Sequence, residues 1–213
     1  MISIQKIMFL ANNTAIRSSF LGYEETRKSH QMLYGMLVNM GFRNLYLLDH
    51  SIGVASFAMR LSRRLGFPHH QVNLIIKASL LHDIGKLNIP GTLLSKPTFL
   101  TAAEYEMVKT HPGLGAALLT EHSDTQALPQ IVRHHHERFD GQGYPDHLAG
   151  EQIEIETRVV SIADAIDAMR SNRPYRRALS RQQIVNELHK GSQLQFDPFL
   201  VEPAILTLKE IGA

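Results

Sequence analysis

Gln71-Val72-Asn73-Leu74-Ile75-Ile76-Lys77-Ala78-Ser79-Leu80-Leu81-His82-Asp83-Ile84-Gly85-Lys86 is the stretch on which the reading of this chain turns. Val72, Ile75, Ile76 and Leu80 recur at the three- and four-residue spacing of one helical face, and Ile84-Gly85-Lys86 breaks that face directly after His82-Asp83. The pattern predicts a helix over residues 71–82 that delivers an imidazole and a carboxylate at its C-terminal end. A carboxylate is out of place there, because the negative end of the helix dipole repels it. A cation would remove the objection.

Helical signals continue on either side, whereas alternating strand patterns of useful length do not. Thr101 with Glu104 makes a capping box opening a helix toward Lys109, and Ser180 with Gln183 repeats it. Pro129 suits the first turn of a helix running to about His136, and Asp197-Pro198 opens a last helix through Ile211. Further helices are expected over residues 45–65, 113–121, 157–171 and 181–190. Breakers fall between them at residues 66–68, 85–97, 141–145 and 172–174. The fold class is therefore all-α, a helical bundle over residues 45–213 carrying a short helical N-terminal extension over residues 1–44. In that extension Met32, Met36 and Met40 share one helical face, a stripe that more often packs a core than binds a partner. A dimerisation arm, and with it a homodimer, stays open.

At about 150 residues per domain, 213 residues make one domain with an extension or two small ones. Such a chain can bury about 70% of its unfolded surface without disulfides or structural zinc. The absence of cysteine excludes thiolate zinc sites, iron-sulfur clusters and cysteine nucleophiles together. No apolar run approaches the ~20 residues of a membrane span, and Met1 does not open a signal-peptide pattern, so a soluble cytoplasmic protein is expected. The formal charge of +2 is small and the basic residues are scattered, which argues against a DNA binder. Arg170, Arg173, Arg176, Arg177 and Arg181 are the local exception; such a cluster is ordinarily a solvated helix end unless an anionic substrate is argued independently.

Among 12 histidines, several sit beside acids or one another at helix ends. His135-His136 leads into Glu137-Arg138-Phe139-Asp140-Gly141-Gln142-Gly143-Tyr144-Pro145, a rigid polar turn, while His111-Pro112 closes the capping-box helix. His50 and Asp164 lie inside predicted helices. Each alone has an ordinary structural reading: a lone helical histidine is usually exposed or satisfied, and Asp164 could pair with an arginine. Together His50, His82, Asp83, His111, His135, His136 and Asp164 resemble the convergent side chains from which helical bundles build metal centres. Imidazole and carboxylate suit iron, manganese, zinc or nickel. Asp83, with two oxygens, is the natural bridge between two ions.

The His82-Asp83-Ile84-Gly85-Lys86 string, taken with His135 through Pro145, resembles the HD-GYP branch of the HD metal-dependent phosphohydrolases. The resemblance runs from about Leu45 to Pro203 and extends to Ala163-Asp164-Ala165-Ile166-Asp167-Ala168 and Ser171-Asn172-Arg173-Pro174-Tyr175-Arg176. It implies two divalent ions per chain, iron or manganese first, then zinc or nickel. One would be held by His50, His82, Asp83 and Asp164, the other by Asp83, His111, His135 and His136. Lys86, Arg173 and Arg176 match positions that meet substrate phosphate in such enzymes, and Tyr144 one that lines the pocket. Some members add a third ion through a glutamate four residues before the first histidine; Tyr46 stands there, so two ions are expected.

The substrate that the resemblance implies is cyclic di-GMP, opened to linear pGpG and in a second cut to GMP. In that reading the two ions would supply an activated water for in-line attack, and Lys86 would clamp a phosphate oxygen. A metal-bound water, His134, Asp140 and Asp167 are candidates for the leaving-group acid, although His134 also reads as a helix-surface residue and Asp140 as a turn-shaping one. Two alternatives remain. One is a slow-turnover sensor or adaptor docking on a diguanylate cyclase or other signalling protein through Gly143-Tyr144-Pro145. The other is an HD hydrolase of another nucleotide, such as a mixed cyclic GMP-AMP.

Overall fold

The computed structural model describes residues 27–121, 126–172 and 177–211, with side chains from residue 34 onward. The described residues form an all-α bundle of helices joined by turns and loops: α1 (Arg27–Arg43), α2 (Leu45–Arg64), α3 (His69–Leu81), a 3-10 turn (Ile84–Asn88), α4 (Gly91–Leu94), α5 (Ala102–Val108), α6 (His111–Thr120), α7 (Ala127–His134), a second 3-10 turn (Gly150–Gln152), α8 (Ile155–Arg170), α9 (Arg181–Gly191) and α10 (Pro198–Glu210). None of the described helices is long and apolar enough to cross a membrane.

α2 is the axis of the bundle and packs against α1, α3, α8 and α10. Its start is fixed by Asn44, whose side-chain oxygen accepts a hydrogen bond from the Leu47 amide at 3.2 Å and so satisfies one of the orphan donors of the first turn. The side of α2 that faces inward carries Leu48, Val54, Ala55, Phe57, Ala58 and Leu61, all between 0 and 2% exposed. α3 buries Ile75, Ile76, Ala78, Leu80 and Leu81 almost completely, so this helix is a strut of the core rather than a surface element. The capping boxes at Thr101–Glu104 and Ser180–Gln183 are both formed.

Met40 is fully buried and Met36 half-buried, and with Leu37 they tie α1 into the same apolar core as the rest of the bundle. Met32 falls where the side chains are outside the described residues. Two boundaries differ from the sequence expectation. His111 opens α6 rather than closing α5, because Pro112 fits a helix's first turn, where its missing amide hydrogen costs nothing. Residues 85–97, read as a breaker, hold the 3-10 turn and α4. These pieces are too short to show a period between Gly85, Pro90, Gly91 and Pro97.

Candidate metal centre

Helix ends meet at one point. His82 caps the end of α3, His111 begins α6, and His135 and His136 follow α7, while α2 and α8 contribute His50 and Asp164 from their sides. Ring centroids lie 5.0 Å apart for His82 and His135, 5.1 Å for His111 and His136, and 5.2 Å for His50 and His82. His82, Asp83, His111 and His135 are each 1% exposed. The structure thus brings together all seven residues singled out as ligands.

The rings are oriented from behind. His82 donates from Nδ1 to the Ser79 carbonyl at 2.8 Å, His111 to Val108 at 2.7 Å and His135 to Val132 at 2.7 Å. A carbonyl oxygen only accepts, so Nδ1 carries the hydrogen in all three and Nε2 is turned toward the centre. His50 does the same through a side chain, donating from Nδ1 to Asp167 Oδ2 at 2.7 Å. Asp167 was a leaving-group candidate on sequence; the structure makes it the group that orients His50. Asp167→Asn should lower metal affinity 10- to 100-fold while leaving the melting temperature of the metal-free protein nearly unchanged. Titration with Mn²⁺ checks this, and an unaltered affinity would remove the orienting role.

Asp83 divides its oxygens. Oδ1 lies 3.1 Å from His111 Nε2 and 4.0 Å from His135 Nε2, whereas Oδ2 lies 3.4 Å from His82 Nε2 and 2.6 Å from Lys86 Nζ. Asp83, His111, His135 and His136 form one set of convergent ligand atoms, and His50, His82 and Asp83 a second. Asp164 joins the second set through Oδ1, 3.0 Å from His50 Nε2 and 3.9 Å from His82 Nε2. His82 Nε2 and Asp83 Oδ1 are buried without a hydrogen-bond partner among the described residues. Buried polar atoms left so are costly, and here both belong to residues of the two convergent sets. His111 Nε2 and His135 Nε2 stand 3.3 Å apart. This arrangement fits cations with nitrogen and oxygen ligands.

The electrostatics agree. Burial pushes the Asp83 carboxyl up, but the Lys86 ammonium and the imidazoles of His82 and His111 outweigh it and hold the group well below the usual carboxylate range. Burial drives the His136 ring down to about 3 and, with its imidazole neighbours, pushes His135 well below the usual value, so both rings are neutral lone-pair donors. Burial opposes charge on His50 too, yet hydrogen bonds to Asp164 and Asp167 raise it to about 10. A cation bound there must displace that proton.

The other predicted residues divide. Lys86 reaches Asp83 and lines the cavity described below. Tyr144 is half-buried, its ring 4.9 Å from that of His136 and under the Lys109 ammonium at 5.2 Å; burial raises its phenol further above the ordinary value, keeping it protonated. Arg173 and Arg176 lie outside the described residues. Asp140 pairs bidentately with Arg138 and accepts from the Gln142 amide, and His134 is bonded to Asp146, so both take structural roles in the turn and on the helix surface. Gly143 is buried where a Cβ would meet the Arg138 nitrogen at 2.4 Å and the His136 oxygen at 2.6 Å, so the loop can close on the histidine pair only without a side chain. Glu137, 3% exposed, locks the same loop by accepting from the Asp146 amide at 2.6 Å. The sequence reading missed Glu137, although its place directly after His135-His136 was a usable signal.

The centre opens into a cavity of about 690 Å³. His50, Asp83, His136 and Asp164 form one end of it; Lys86, Lys96, Asn44, Tyr46, Phe99 and the apolar side chains around Leu93 and Val108 form the rest. That volume lies in the range of small-molecule sites.

Comparison with known proteins fits this geometry. The chain is 38% identical over 159 residues to the cyclic di-GMP phosphodiesterase response regulator RpfG of Xanthomonas campestris pv. campestris, covering 70% of this chain and 42% of that protein. It is 34% identical over 176 residues to the 3'3'-cGAMP-specific phosphodiesterase 2 of Vibrio cholerae, covering 82% and 34% respectively. The chain spans between 39 and 56% of the length of the first curated relatives it matches. Among solved structures, Bd1817, an HDG"Y"P protein from Bdellovibrio bacteriovorus, superposes with a TM-score of 0.66 at 18% identity, covering 92% of this chain and 68% of that one. The HD domain family model matches residues 14–200, and with the His82-Asp83 and Gly143-Tyr144-Pro145 strings meeting in one centre, the chain belongs to the HD domain family, in its HD-GYP branch.

Proposed function

We propose that this chain is a metal-dependent phosphodiesterase that hydrolyses cyclic di-GMP to pGpG, and further to GMP, in the cytoplasm. The observation that carries this reading is Asp83, whose two oxygens face two separate groups of imidazoles. Two divalent ions held there, iron or manganese as the family resemblance implies, would supply an activated water and neutralise charge at phosphorus. The remaining work belongs to the chain. His50, His82 and Asp164 hold one side and His111, His135 and His136 the other. Lys86, 2.6 Å from Asp83 and on the cavity wall, clamps a non-bridging oxygen of the scissile phosphate. Tyr144 backs the His136 ring. The bond from phosphorus to the 3' oxygen breaks as a water oxygen joins phosphorus and gives up a proton to solvent, and the departing oxygen takes a proton from solvent in the open cavity. Arg173 and Arg176 are further phosphate contacts in this reading.

Chromatography of products from cyclic di-GMP and from mixed cyclic GMP-AMP, across Mn²⁺, Fe²⁺, Zn²⁺ and Ni²⁺, tests it. Expected is pGpG with at least one of these metals and none in chelator. Binding without turnover in every metal would replace the enzyme by a sensor of the dinucleotide.

A further inference from the structure

The metal centre needs only a phosphodiester, yet the cavity continues well past it along the first turn of α2. Two side chains there have chemistry that the hydrolytic reading leaves unused. Tyr46 lines the cavity with 51% of its surface exposed, one helical turn before His50 and on the same face. Four residues of helix rise about 6 Å, so the ring sits roughly one sugar's length from the metal end. Asn44 also lines the cavity, and its amide orientation is fixed by chemistry: the Leu47 N–H can only donate, so the atom capping α2 is Oδ1. With the oxygen turned to the helix end, the NH₂ donors are the edge left for a ligand.

We propose that Tyr46 and Asn44 form a purine subsite, the ring stacking on a base and the amide donating to the acceptor edge of guanine in preference to adenine. Aromatic rings hold bases of any identity by stacking. Discrimination comes from the amide. Guanine presents N7 and O6, both acceptors, whereas adenine presents an acceptor beside the N6 amino donor. An asparagine reading adenine uses its oxygen and its nitrogen together; here the oxygen is engaged by the backbone. An amino group therefore meets amino hydrogens where guanine would offer an oxygen. This deepens the phosphodiesterase reading and rests on it.

The test uses the full chain loaded with Mn²⁺, with cyclic di-GMP and cyclic di-AMP as probes, measured for both turnover and equilibrium binding. Asp caps a helix as well as Asn does, so Asn44→Asp keeps the fold while replacing donors by an acceptor. Its added charge weakens both ligands alike, and the informative quantity is their ratio. The preference for the guanine dinucleotide should fall at least tenfold in Asn44→Asp. Tyr46→Ala should raise KM for cyclic di-GMP about tenfold with kcat little changed, and Tyr46→Phe, which keeps the ring, should recover most of that loss. An unshifted ratio in Asn44→Asp, or a Tyr46→Ala whose KM stays put, overturns the subsite. If no dinucleotide is hydrolysed by the wild type, the phosphodiesterase reading fails, and the binding ratios still decide the subsite. Equal binding of both dinucleotides by the wild type would overturn it outright.

Discussion

Asp83→Asn is expected to lower hydrolysis of cyclic di-GMP by about a thousandfold or more and to strip the protein of bound metal. The substitution keeps the volume of a side chain that is 1% exposed, so packing is not the variable. What changes is that one amide oxygen replaces two carboxylate oxygens that face opposite imidazole groups, at 3.1 Å from His111 and 3.4 Å from His82. Neither group then has an anionic member in common with the other. Metal content by mass spectrometry is expected to be about two ions per chain in the wild type and near none in the variant, and Mn²⁺ should raise the melting temperature of the wild type alone, since a ligand stabilises only what it binds. Lys86→Ala provides the contrast: it should impair turnover while the ions stay. An Asp83→Asn protein that retains both ions would show that the two sets of histidines do not share this carboxylate.

Gly85→Ala should cost about 3 kcal/mol of stability, large for a single added methyl group. A Cβ at that position would lie 1.9 Å from the His111 oxygen, 2.6 Å from the Gly115 nitrogen and 2.9 Å from the His111 carbonyl carbon. All three are main-chain atoms, so no rotamer change relieves the clash. The turn at Ile84–Asn88 must back away from α6, carrying Asp83 away from His111. Denaturant unfolding should therefore show the loss of stability together with weakened metal binding. Gly91→Ala is the control, because nothing lies within 4 Å of its Cβ position, and it should be neutral or slightly stabilising. A Gly85→Ala protein within about 0.5 kcal/mol of the wild type would mean that the contact between the turn and α6 can yield.

The larger helices were legible because their ends are marked locally. Thr101–Glu104, Ser180–Gln183 and Asp197-Pro198 each carry their start signals within four residues, and the structure forms all three. The candidate cluster drew attention for a different reason: His82-Asp83 and His135-His136 are pairs at helix ends, where a carboxylate or a second imidazole has no packing rationale, and the structure brings these four side chains together. What stayed hidden depends on contacts distant in the chain. Asp167 drew attention only as a leaving-group candidate, and no local pattern shows that it orients His50 across 117 residues of sequence. Ser161, whose hydroxyl donates to the His135 carbonyl, is likewise a plain helical serine until α8 is packed beside α7. The 3-10 turn and α4 escaped because five and four residues are too few to show a period.

Three of the centre's imidazoles are pinned by carbonyls belonging to Ser79, Val108 and Val132, groups that every amino acid possesses. Mutational drift at those three positions can exchange the side chain without deleting the anchor. The aim of these rings is thus inherited with the path of the backbone, whereas the His50 ring, fastened to Asp167, depends on a second gene-encoded side chain staying in place. A lineage of this fold could therefore vary widely around its histidines and still present the same three nitrogens to an incoming ion.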